Sequence, residues 1–156
     1  MSVRKANEQD IAFIGKLLYQ VASVHSEGRP DLFKRGAKKY TDDDLREILS
    51  DPSRPVFIGE RDGKAAGYAF CVIEDYAGDN VRTPIKTLYI DDICVDESCR
   101  GQGIGRMIFE GVKEYAREIG CYDITLNVWE CNPSAAAFYR SLGMTAYKTG
   151  LEFVLT

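Results

Sequence analysis

Histidine is nearly absent from this chain: His25 is the only one in 156 residues. The five cysteines, Cys71, Cys94, Cys99, Cys121 and Cys131, include no Cys-x-x-Cys pair. That leaves no ligand spacing for a zinc site, and an odd cysteine count argues against a disulfide framework. No metal cofactor and a reducing, cytoplasmic setting are therefore expected. A basic surplus is missing too, with 20 Lys and Arg against 24 Asp and Glu, so no nucleic-acid partner is expected. No apolar run approaches the roughly 18 residues of a membrane span. Met1-Ser2-Val3-Arg4 leads straight into the fold without the apolar stretch of a signal peptide, so no membrane partner is expected either. The one Asn-x-Ser sequence, Asn132-Pro133-Ser134, is blocked as a glycosylation acceptor by its proline.

Repeats, low-complexity tracts and linkers are also lacking, and residues 1–156 read as a single domain. A hydrophobic content of 45% with 28% charge belongs to a soluble globular chain. Residues 2–6 read as a short strand, and Asn7 can cap a helix with apolar positions Ile11, Ile14, Leu18 and Val21. Gly28-Arg29-Pro30 breaks that helix. Thr41, with Asp44 three residues on, opens a second helix that stops before Pro52. Residues 55–61 and 64–76 form a hairpin about Asp62-Gly63. A polar loop covers 77–84 and a strand 85–95. Ile104, Ile108, Val112, Tyr115 and Ile119 mark one face of a third helix, closed by Gly120. A strand over 122–129, a short helix over 133–142 and a last strand over 146–155 complete the order β-α-α-β-β-β-α-β-α-β. This is an α/β chain with a mixed sheet and helices on both sides.

The most telling stretch is Cys99-Arg100-Gly101-Gln102-Gly103-Ile104-Gly105-Arg106, set between a strand and a helix. Three alternate glycines strip side chains from a turn, exposing backbone N–H groups and the positive end of a helix. Such a turn binds phosphate. Two familiar phosphate loops do not fit. A Rossmann fingerprint starting at Gly101 needs glycine where Arg106 stands, and a P-loop needs a Gly-Lys-Ser/Thr that the chain lacks. Arg100 and Arg106, bracketing the glycines, suit a diphosphate.

Arg100-x-x-Gly103-x-Gly105 resembles the acetyl-CoA pyrophosphate loop of the GNAT N-acetyltransferase superfamily. Upstream, Tyr89-Ile90-Asp91-Asp92-Ile93-Cys94-Val95 is similar to that family's central strand. Downstream, the run from Asn132 through Phe138-Tyr139 to Gly143-Met144 is similar to its second signature. The resemblance implies the GNAT acyltransferase fold and acetyl-CoA as cosubstrate. It also implies cofactor contacts from Ile93, Cys94 and Val95, from Arg100, Gly101, Gln102, Gly103, Ile104, Gly105 and Arg106, and from Asn132 and Ala135. A homodimer, common in the family, is a further expectation.

Acetyl transfer to an amine needs a proton acceptor, an oxyanion donor and a proton for the departing thiolate. The resemblance assigns the last task to Tyr139. Within the superfamily the central strand is most like that of polyamine acetyltransferases, where an acid at the position of Asp91 is the base. Asp is one methylene shorter than the Glu usual there, which favours a water relay. Asp92 would point to the opposite sheet face unless the strand bulges, and is taken as substrate-lining. The oxyanion donors are expected from the backbone over 93–95. Asn132 can bond the pantetheine arm while capping its helix. His25 and Phe33, in the break between the first two helices, are candidates for the acceptor pocket, as are the loops 25–40 and 77–84. Trp129 reads as core or interface, and Cys131 has no basic neighbour in sequence to activate it. The expected acceptor is a small-molecule primary amine; an N-terminus or lysine of a protein, or a CoA-binding domain without turnover, are the alternatives.

Overall fold

A computed structural model describes residues 1–156. Five strands form one sheet in chain order: β1 (Ser2–Lys5), β2 (Val56–Arg61), β3 (Lys64–Asp75), β4 (Lys86–Val95) and β5 (Asp123–Leu126). The first three pairings are antiparallel and β4–β5 is parallel. The β2–β3 hairpin turns at Asp62 and Gly63, both with positive φ, as its two-residue turn demands.

The helices are α1 (Ile11–Gly28), α2 (Asp42–Leu49), α3 (Ile104–Glu118) and α4 (Pro133–Ser141). Asn7 and Thr41 each make a capping box, the first at the short turn that leads into α1. Side chains of α1 and α2 meet one sheet face, with Ile14, Leu17, Leu45 and Ile48 packed on Ile58, Tyr68 and Phe70. On the other face Ile104, Ile108 and Val112 of α3 pack on Phe57, Ala69, Leu88 and Ile90. The sheet thus divides two apolar cores, the arrangement expected of a mixed α/β chain.

Two expectations need correction. The strand read over 122–129 is hydrogen-bonded only over Asp123–Leu126, because β4 and β5 part beyond it. The last strand, read over 146–155, does not form: no backbone hydrogen bond involves residues 145–156. Alternation gives that segment the pattern of a strand, but a strand exists only against an edge that pairs with it.

Candidate functional site

The chain leaves β4 at Val95, makes a short 3-10 turn over Glu97–Cys99, and enters α3 through the glycines. Gly101 and Gly103 have φ of 76° and 81°, a region costly for residues with a Cβ. Gly105 is needed for a different reason, since a Cβ there would sit 3.0 Å from the Phe138 ring. Gly103 offers α3 no side-chain cap, and the N–H groups of residues 100–106 find no acceptor in the chain. Arg100 and Arg106 bond only the carbonyls of Val95 and Ser141, and neither is paired with a carboxylate. A row of free amides, a helix N-terminus and two uncompensated guanidinium groups fit a diphosphate.

Pairing between β4 and β5 ends at Ile90 opposite Leu126. Beyond that point the backbones of 91–95 and 127–131 separate and open a slot in the sheet. A single groove of about 2700 Å³ follows the slot, lined by the glycine turn, residues 91–95, β5 and one side of α4. It brings together nearly all the residues singled out by sequence: His25, Phe33, Asp91 to Val95, Arg100, Gly101, Gly103 to Arg106, Asn132, Ala135 and Tyr139. Gln102 does not line it, and neither does the 77–84 loop. His25 belongs to the last turn of α1 rather than to the break that follows.

The two acids do not point to opposite faces. Pairing of β3 and β4 slips at Phe70 and Cys71, so that Asp91 is the extra residue of a bulge. Both carboxylates therefore reach the α1–α2 side. Asp91 is held by Lys39 Nζ at 2.8 Å and accepts from the Tyr40 hydroxyl at 2.9 Å. Asp92 accepts from the buried Tyr68 hydroxyl at 2.6 Å. Burial, opposed by that hydrogen bond and reinforced by the Asp91 charge, pushes the Asp92 carboxyl up to about 6.

Tyr139, on α4, has its phenol raised above the ordinary value by burial and then by the nearby Asp92 and Cys94. The Cys94 thiol, pushed up to about 12 mainly by burial, is inert and donates weakly to the Leu17 carbonyl. Asn132 caps α4 by accepting from the Ala135 N–H, which occupies that amide. Its side-chain amide nitrogen makes no bond within the chain.

Sequence reasoning missed four contributors. Lys39 and Tyr40 fall in a loop with no recognisable pattern, and Tyr68 reads as one more core aromatic. Trp129, half-exposed, stacks edge-on against Phe33 at 5.2 Å, and Phe33 lies 5.0 Å from His25. That trio walls the groove at the end of β5. Burial and the Lys39 charge both lower the His25 pKa, keeping the imidazole neutral near pH 7.

Comparison with known proteins bears on the family and the fold. Residues 19–144 match the model of the acetyltransferase (GNAT) family. An "uncharacterized N-acetyltransferase in pepI 3'region" of Lactobacillus delbrueckii subsp. lactis is 30% identical over 117 residues, 75% of this chain and 66% of that protein. The chain thus spans just under two thirds of that relative's length. The thialysine N-epsilon-acetyltransferase of Mus musculus is 30% identical across 90% of this chain and 82% of its own. A crystal structure of a mutant of the BH1408 protein from Bacillus halodurans superposes with a TM-score of 0.93, at 31% identity and full coverage of both chains.

Proposed function

The chain belongs to the GNAT acetyltransferase family, and on that premise we propose that it moves an acetyl group from acetyl-CoA to a primary amine. Transfer is direct, with both substrates bound together. The supporting observation is the parting of β4 and β5. It joins the bare amides of the glycine turn to the Asp92–Tyr139 pair by one continuous slot.

Acetyl-CoA supplies the activated thioester. Arg100, Arg106 and the amides of 100–106 hold its diphosphate, and the free strand edge of 93–95, with Asn132, receives the pantetheine arm. An acceptor amine with a pKa near 10 is neutral in roughly one molecule in a thousand at pH 7, a handicap of about 4 kcal/mol. Asp92 removes that proton. A carboxyl near 6 is ionised at neutral pH yet more basic than an ordinary aspartate, which is what a general base needs. The task moves here from Asp91, whose oxygens are engaged by Lys39 and Tyr40. Backbone N–H groups at 93–95 face the developing oxyanion. Tyr139, kept protonated by burial, gives its phenolic proton to the departing thiolate.

The acceptor enters between the Lys39–Asp91–Tyr40 cluster and the His25–Phe33–Trp129 wall. Acidic and aromatic surfaces together suit an alkylammonium group. The relative named for thialysine, a lysine-like amine, makes a short aminoalkyl compound the preferred class. A lysine within a peptide is the second reading, favoured by the large volume of the groove.

Release of CoA, followed with a thiol reagent across lysine analogues, diamines, aminoglycosides and lysine peptides, tests the proposal. Turnover with one class confirms the reaction and fixes the acceptor. No turnover, with no thermal shift on adding acetyl-CoA, overturns it.

A further inference from the structure

Lys39 stands apart from the other lysines of the chain. It lies in the loop between α1 and α2 and lines the groove, and its ammonium bonds both oxygens of Asp91, at 2.9 and 2.8 Å. The same ammonium stands 5.4 Å from the centre of the Tyr40 ring, whose hydroxyl also donates to Asp91. A carboxylate beside an aromatic ring is the seat that an acceptor ammonium needs, and here a side chain of the protein itself fills it. Its charge is felt beyond Asp91. It opposes burial at the Asp92 carboxyl and adds to burial in lowering the pKa of His25. After burial, Asp92 is the largest influence on the Tyr139 phenol.

Two other lysines of the same loop differ from it. Lys38 turns to the exposed Asp42 at 3.3 Å and lies over the Tyr19 ring, and Lys34 is exposed. Lys39 is also free to move, since its side chain is half-exposed. A lysine ammonium rides on a flexible four-carbon stem. Rotation about those bonds carries the ammonium from Asp91 toward the adjoining Asp92 while the backbone stays in place.

Resting on the acetyl transfer proposed above, we infer that Lys39 is itself an acceptor: with acetyl-CoA bound and no amine present, the chain acetylates its own Lys39. Asp92 takes one proton from the ammonium. The free Nζ attacks the thioester carbonyl, the C–N bond forms, the C–S bond breaks, and the departing thiolate takes the Tyr139 proton. A second proton from the attacking nitrogen restores the phenol, and Asp92 returns its own to water. The products are acetyl-lysine and CoA. Tethering replaces binding, so the step is first order in protein. Burial disfavours the Lys39 charge, but the bond to Asp91 outweighs burial and raises its pKa. The transfer is therefore slower than turnover of a bound amine, and a saturating acceptor suppresses it. The acetylated side chain is neutral, which leaves Asp91 without its cation.

The test uses the full chain and acetyl-CoA with a deuterated acetyl group, no amine added, and mass spectrometry of the digested protein over time. Label is expected on Lys39 about 10²-fold faster than on Lys34 or Lys38, the low end of what general acid–base catalysis supplies. The rate is expected to be unchanged when the protein is diluted. Asp92→Asn and Tyr139→Phe, their folding read by circular dichroism, are each expected to lose that advantage. Labelling of Lys39 no faster than of Lys34 or Lys38 overturns the inference. So does a rate that falls in proportion to protein concentration, or one that either folded variant retains. Should the variants fail to fold, the comparison among lysines and the dilution series in the wild type still decide. Turnover of an added amine without label on Lys39 sinks this inference and leaves the proposed function standing. No label, no CoA release and no thermal shift with acetyl-CoA sink both.

Discussion

At Asp92 a carboxylate, a buried phenol and a second carboxylate crowd into one bulge of β4. The arrangement has a thermodynamic signature. In the unfolded chain the group titrates near 3.8; in the fold, burial raises it to about 6. Between those values the folded chain holds a proton that the unfolded chain has released, so this residue's contribution to stability falls as pH rises through about 6. Above that, the native state carries a buried charge at a cost on the order of 3 kcal/mol at most, since each pKa unit is about 1.4 kcal/mol. Asp92→Asn is therefore expected to melt no lower than wild type at pH 8. It is also expected to lose about 10²–10⁴-fold in kcat/KM, the usual worth of a general base. The acid limb of the wild-type pH–rate profile, with its midpoint near 6, disappears with it. A variant that keeps that limb returns the proton transfer to another group. Tyr139→Phe is a separate case: it is expected to bind acetyl-CoA with unchanged affinity by calorimetry and to lose about 10²-fold or more in kcat. Unchanged turnover removes the phenol from the mechanism. The two adjacent acids and the tyrosine were legible in the sequence because their residue types are costly or conspicuous where they stand. Which acid acts on the Tyr139 phenol was not, since counting alternate residues along a strand has no means of seeing a bulge.

Among the elements, the turn from β4 into α3 was the most legible, because glycine is the one residue whose absence of a side chain is itself a structural instruction. Gly103→Ala tests that instruction. Its φ of 81° imposes about 1–2 kcal/mol of left-handed strain on an alanine. A chain of this size loses about 2–4 °C in Tm per kcal/mol, so a drop of a few degrees is expected without ligand. A weaker affinity for acetyl-CoA should accompany it, because the new methyl group crowds the exposed amides. Full affinity with the expected loss of Tm leaves the turn a purely structural device. Less of the acceptor end could be read. Lys39 and Tyr40 reach Asp91 across more than fifty residues, and the His25–Phe33–Trp129 trio joins α1, a loop and the end of β5. Contacts of that kind follow from where the sheet places its loops, and no local pattern encodes them. The segment 146–155 is the reverse case: the period of a strand is plainly written, but no edge of the sheet pairs with it.

Across the whole molecule the two cores are unequal partners of the site. The α1–α2 side of the sheet is closed, with Ile14, Leu17, Leu45 and Ile58 fully buried, whereas no residue of α4 is fully buried and Ile124 and Leu126 of β5 hang on the margin of the other core. Segments with few buried contacts open most readily, and here they are the ones that flank the slot. A ligand bridging the glycine turn, β4 and α4 must therefore tie the least stable part of the fold to the most stable. At a concentration a hundred times its Kd, such a ligand stabilises the native state by about 2.7 kcal/mol. For this chain length that is a rise in Tm of roughly 5–10 °C. Amide exchange is expected to report where the gain is made: slowing concentrated in residues 91–106 and 127–142 on adding CoA, with α1 and α2 unchanged. Protection confined to the glycine turn would mean that the diphosphate is held but the slot is not used. In that event the Asp92–Tyr139 pair would lie off the path of the thioester, whatever its local geometry.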